Sequence, residues 1–109
     1  MKTIIVFAIA VIFTILPVYA YSATEIELVK LHKYAVRIGR AMGCEFNTKE
    51  ARASVDRWMK RTFKDDAERS QLLNSYTETI KTEAVAQRDA RTSDTCFDIK
   101  GAFSVYEWP

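Results

Sequence analysis

Few side chains in this sequence could do chemistry. There is one histidine, His32, and there are two cysteines, Cys44 and Cys96. Acid–base or nucleophilic catalysis needs a base, a group that orients it and an activated atom within hydrogen-bond reach. His32 is the only imidazole available for such a task. It follows Leu28 by four positions, at the edge of an apolar stripe, which suits a structural or surface role better than a catalytic one. Asp65 and Asp66 could suggest a metal site. At the start of a helical stretch, however, adjacent acids complement the positive end of the helix dipole. Neither a glycine-rich phosphate loop nor a zinc or calcium spacing is present. The residues point away from an enzyme and call for no cofactor and no metal.

What remains is basic. Lys30, Lys33, Arg37 and Arg40 step by three, four and three positions, opposite the stripe of Leu28, Leu31, Ala35 and Ile38. Arg57, Lys60, Arg61 and Lys64 share a second face, opposite Ala51, Val55, Trp58 and Met59. Ordinary surfaces interleave both signs, and here few acids intervene. Between residues 30 and 64 there are ten basic residues against Glu45, Glu50 and Asp56, a net of +7. Between residues 65 and 109 there are five basic and nine acidic residues, a net of −4. Two readings follow. The stripes are solvated faces of amphipathic helices, or they form a surface for an acidic protein or an anionic envelope component. Nucleic acid fits poorly with a near-neutral total and an exported chain.

Export is read from the first twenty residues. Lys2 precedes an apolar run over residues 3–16. Pro17 then interrupts it, and Val18 and Ala20 occupy the −3 and −1 positions of a cleavage site. This is the layout of a cleaved secretory signal peptide, with an uncleaved anchor over residues 3–20 as the lesser alternative. Residues 21–109 then make one domain outside the cytoplasm, in the periplasm or beyond it. Fifteen of the sixteen Lys and Arg residues and all fourteen acids lie there, a net charge of +1.

A domain of this size buries a modest core and often relies on a covalent staple. Cys44 and Cys96 lie too far apart for a redox motif, and one histidine is too few to complete a metal site. In an oxidising compartment the pair reads as a structural disulfide. Closing a loop of about 50 residues contributes roughly 4 kcal/mol by the chain-entropy argument.

The apolar spacing is helical throughout, with no hairpin turn, repeat or linker. A first helix starts near Ser22 or Thr24, with Ser22 and Glu25 spaced as a capping box, and Gly43 ends it in a left-handed turn. A second starts at Asn47 or Thr48 and buries Ala51, Val55, Trp58, Met59 and Phe63. A third opens at Asp65-Asp66, buries Leu72, Leu73, Tyr76, Ile80 and Ala84, and frays near Arg88 to Arg91. The cluster Thr92-Ser93-Asp94 starts a short fourth helix with Cys96, Ile99 and Phe103. Trp108 is expected to dock on the core. The expected fold is all-α: a small bundle of about four helices stapled by one disulfide.

The segment Cys96-Phe97-Asp98-Ile99-Lys100-Gly101-Ala102-Phe103, closing with Trp108-Pro109, resembles the C-terminal signature of small exported all-helical bacterial proteins with one widely spaced cysteine pair. The resemblance concerns layout and brings no assigned activity. Periplasmic acid-stress chaperones and envelope immunity proteins share that layout. The resulting expectation is a non-enzymatic exported binding protein that contacts an acidic partner, of the kind that neutralises a toxin. An acid-stress chaperone and a small virulence effector delivered to a host are the alternatives. Self-association into a homodimer stays open.

Overall fold

A helix starts where a side-chain oxygen can take up a backbone N–H that has no partner in its own first turn. The computed structural model describes residues 23–109, and three of its four helix starts are made in this way. The helices are α1 (Glu25–Gly43), α2 (Lys49–Thr62), α3 (Asp66–Arg88) and α4 (Cys96–Val105). The hydroxyl of Thr24 accepts from Glu27 N–H, and Glu27 Oε1 accepts from Thr24 N–H at 2.9 Å. The capping box is therefore Thr24–Glu27, two residues beyond the expected one. Asp65 accepts from Glu68 N–H at 2.8 Å, and Thr95 from Asp98 N–H at 3.1 Å. At α2 the N-cap is Thr48, whose hydroxyl accepts from Arg52 Nε instead of a backbone N–H. Asn47 Oδ1 accepts from Lys49 N–H at 3.0 Å. The cluster at residues 92–94 precedes α4 without capping it.

The fold is all-α, and Cys44 and Cys96 form the staple, with Cα atoms 5.7 Å apart. The signal-peptide reading of residues 1–20 lies outside the described residues. Within the described residues no helix is long and apolar enough to cross a membrane.

α1 and α3 run side by side in the same direction. Ala23 N–H donates to Glu68 at one end, and Arg40 donates to Glu83 further along, so the partners stay 45 and 43 positions apart in sequence. α2, which joins them in sequence, runs back in the opposite direction and packs on one side of the pair. Glycine makes the close approach possible. A Cβ on Gly39 would lie 2.7 Å from the Ile80 carbonyl oxygen, and one on Gly43 would lie 2.5 Å from that of Ala84. These distances are too short for a methyl group. Gly43 therefore sits inside the last turn of α1, and the left-handed position passes to Glu45, at φ 65°. Glu45 N–H donates to the Met42 carbonyl and Phe46 N–H to the Ala41 carbonyl, the double closure of a Schellman end. The end of α3 has the same form rather than fraying. Ala90, at φ 58°, donates to Gln87, and Arg91 donates to Ala86.

The core joins Leu31, Ala35 and Ile38 of α1 with Val55 and Met59 of α2, Phe63 just after it, and Leu72 and Tyr76 of α3. Leu73 points outward instead, 43% exposed, because the inward face of α3 is a single stripe stepping by four from Leu72 to Ala84. Trp58 is half-buried, its ring edge-on to Phe63 and Tyr34. The Tyr76 hydroxyl is buried with no hydrogen-bond partner among the described residues. Burial, reinforced by the charge of Asp56 and opposed by Arg52, pushes its phenol up out of the usual range. Burial and then Tyr106 raise that of Tyr34.

Two outcomes follow for stability. Gly39→Ala and Gly43→Ala should each lower stability by about 1–3 kcal/mol, although alanine is the better helix former. Gly101→Ala, whose Cβ would meet nothing within 4 Å, should raise it by about 0.5–1 kcal/mol. Thermal denaturation of the three variants checks this. Both tyrosines have raised folded-state pKa values, so the folded chain holds protons that the unfolded chain loses above about pH 10. Stability should be level below that pH and fall above it. Tyr76→Phe should reduce the fall and leave the neutral-pH protein at least as stable, as denaturant titrations at pH 8 and above 10 would show.

Candidate functional site

α4 lies antiparallel to α1 and is held at both ends. The disulfide joins its first residue to the C-cap of α1. At its other end Phe103, in the last turn of α4, packs with Tyr106 and Trp108 just beyond it as a ring cluster against α1. Tyr106 and Trp108 have centroids 4.6 Å apart, and Tyr34 of α1 lies 6.3 and 6.0 Å from these two rings. The terminal tryptophan is docked, as its size suggested. Between the two anchorages the helices part over a cleft of about 620 Å³.

One wall of the cleft is α1, through His32, Lys33, Val36, Arg37 and Arg40. Three of the four cations in the first stripe therefore meet in one place, with Lys30 one turn before them. Glu83 and Asp94 gather at the Arg40 end, Asp98 adds a third carboxylate to the lining, and Ile99, Ala102 and Phe103 form the α4 side. His32 is exposed at the rim, and neither ring nitrogen makes a hydrogen bond to a described residue.

Arg40 is engaged internally. Its Nε donates to Glu83 at 2.9 Å and its Nη1 to Asp94 at 2.6 Å. Burial lowers the guanidinium pKa, and the hydrogen bonds to the two carboxylates outweigh that and raise it, so the charge persists at any accessible pH. The loop carrying Asp94 is fixed by further bonds. Gln87 Nε2 donates to the Asp94 carbonyl at 3.0 Å, and the Thr92 hydroxyl donates to Gln87 Oε1. Arg37 lies 4.2 Å above the Tyr106 ring, a cation–π contact that holds it at the cleft edge.

The second stripe does not line this cleft. Arg57 borders a shallower hollow with Glu50, Ser54 and Trp108. Lys60, Arg61 and Lys64 are exposed around the end of α2. The eight cations thus divide between a cleft and an open helix face. Sequence reasoning missed the acidic corner, because Glu83, Asp94 and Asp98 are far from α1 in sequence. It also passed over a nearer signal: Ile26, Val29 and Val36 interleave with the α1 cations at helical spacing, and Ile26 and Val29 are exposed.

Among the described residues no group of His, Cys, Asp and Glu could hold a metal ion. The arrangement offers charge, shape and apolar surface for binding. No family model, curated protein or solved structure matches this chain.

Arg40→Met keeps much of the side-chain length and removes both ion pairs. It should cost about 1–2 kcal/mol, and the loss should shrink in Glu83→Gln/Asp94→Asn protein. A double-mutant cycle by thermal denaturation measures the coupling. No such coupling is expected for Lys33→Met.

Proposed function

We propose that this chain is a non-enzymatic exported binding protein of the bacterial envelope or of the space beyond it. Its basic surface meets an acidic partner, either a protein or an anionic envelope component. One observation carries this reading. Lys30, Lys33, Arg57, Lys60, Arg61 and Lys64 are all exposed, and none has a carboxylate within 4 Å among the described residues. Of the five cations after Lys64, three, Arg69, Lys81 and Arg91, each sit beside an acid. Unpaired cations concentrated on two neighbouring helices produce a field that attracts an anion and orients its approach. The disulfide suits an oxidising compartment. Neutralisation of a toxin is one role such a contact could serve.

The contact surface differs from the eight residues read from the sequence. Arg40 holds the fold together, and Arg37 is partly occupied by Tyr106. Charge reversal at Arg37 should therefore cost some stability as well as binding, about 0.5–1 kcal/mol for an exposed cation–π contact.

The test uses poly-glutamate as the protein-like probe and phosphatidylglycerol vesicles as the envelope-like probe. Binding of at least one should weaken as salt rises, since exposed charges are screened within about 8 Å at physiological ionic strength. Lys30→Glu/Lys33→Glu or Lys60→Glu/Arg61→Glu should weaken it by about tenfold with little change in melting temperature. Retention of neither probe at low salt, or equal retention by both double variants, rejects the reading.

A further inference from the structure

The cleft between α1 and α4 is polarised along its length. α4 runs antiparallel to α1: Cys96 meets Cys44 at one end, and Tyr106 meets Arg37 at the other. Asp94 and Asp98 therefore lie beside the C-terminal half of α1, where Arg40 and Glu83 also sit. At that end one cation faces three carboxylates, a local charge of −2. Towards the middle of α1, Lys33 and Arg37 supply +2, with Lys30 one turn further out. Val36 of α1, between Lys33 and Arg40 in sequence, and Ile99 of α4 add apolar surface to the lining, and Phe103 adds more beside the ring cluster.

We propose that this cleft receives a segment of a partner protein with a carboxylate at one end, an apolar side chain in the middle and a cation at the other. The proposal rests on the reading of the chain as a binding protein, and it narrows the partner to a polypeptide. A polyanion or an anionic lipid surface repeats a single sign. It would gain at Lys33 and Arg37 but be repelled by Glu83, Asp94 and Asp98, and like charges brought together cost several kcal/mol. A polypeptide can carry both signs a few residues apart with an apolar residue between them. The volume of about 620 Å³ lies within the range of sites that enclose a small ligand or several side chains.

The walls are held before any partner arrives. Arg40 is fixed by two carboxylates, Arg37 rests on an aromatic ring, and the disulfide and the ring cluster set the spacing of α1 and α4. Fixed groups lose little freedom on binding, so even a short segment can gain net affinity. Asp98 is exposed and makes no ion pair among the described residues, which leaves its carboxylate for a partner's cation. Ala102 is exposed on the α4 side, a place where a larger side chain could fill the cleft without entering the core.

Three synthetic peptides test this by nitrogen-15 NMR titration of the oxidised protein. The first is Glu-Glu-Leu-Leu-Lys-Lys. The second has alanine in place of both leucines, and the third, Glu-Glu-Leu-Leu-Glu-Glu, is acidic at both ends. The first should bind most tightly and shift the amides of Val36, Ile99 and Phe103. Loss of the apolar middle should weaken it about tenfold, as expected for part-burial of a leucine side chain. Ala102→Trp should abolish its binding, and Asp98→Lys should reverse the preference between the first and third peptides. Equal or tighter binding of the third peptide by the unaltered protein, or an unchanged preference in Asp98→Lys, overturns the polarised cleft and leaves the acidic-partner reading standing. So does a poly-glutamate response on the lysines of α1 and α2 with no peptide response at the cleft floor. Absence of any response to the peptides, to poly-glutamate and to phosphatidylglycerol vesicles overturns both.

Discussion

The close approach of α1 and α3 at Gly39 and Gly43 is the constraint on which the rest of this structure depends. Neither position has room for a methyl group, because each faces a carbonyl oxygen of α3. Two backbones in such contact have only one longitudinal register. That register sets Arg40 opposite Glu83 and brings the two helix ends level. The chain leaving α3 can then turn through Ala90 and return α4 along α1, where Cys96 reaches Cys44. A shift of one helical turn, about 5.4 Å, would separate the ion pair and take the cysteines beyond bonding distance.

Arg40 shows how the same cation acts differently once the helices are assembled. Along α1 it is the last member of a basic stripe. In the bundle it ties α1 to α3 and to the loop before α4, through carboxylates 43 and 54 positions away. Its partial burial strengthens both bonds relative to fully exposed pairs. It also divides the electrostatics of the neighbouring cleft: the cations before Arg40 remain unpaired, and the acids around it outnumber it. An ion pair that stabilises the fold thus also gives the cleft a direction.

Much of the fold was legible in the sequence. Four amphipathic stretches, the acids at the start of α3 and a single pair of cysteines lead to a stapled all-α bundle, and that is the architecture found. Some local details were not legible. Gly43 has the composition of a helix terminator, but close packing retains it inside α1, and Glu45 adopts the left-handed turn in its place. Leu73 fits the apolar count of α3, yet only one stripe of that helix faces the core. The capping box moved from Ser22–Glu25 to Thr24–Glu27 because both pairs have the required spacing, and spacing alone does not choose between them.

The sequence by itself determined the helices, the charge of their outer faces and the pairing of the only two cysteines. These depend on residues three or four apart, or on there being a single partner to choose. Only the tertiary structure decided that Arg40 is internal, that the two basic stripes separate, and that Glu83, Asp94 and Asp98 complete a cleft with Lys33 and Arg37. Those relations join different helices, and the contacts of α1 with Glu83, Asp94 and Asp98 join residues more than forty positions apart. Their geometry follows from the register of packed helices, a property of steric fit across the bundle that the spacing within one helix does not carry.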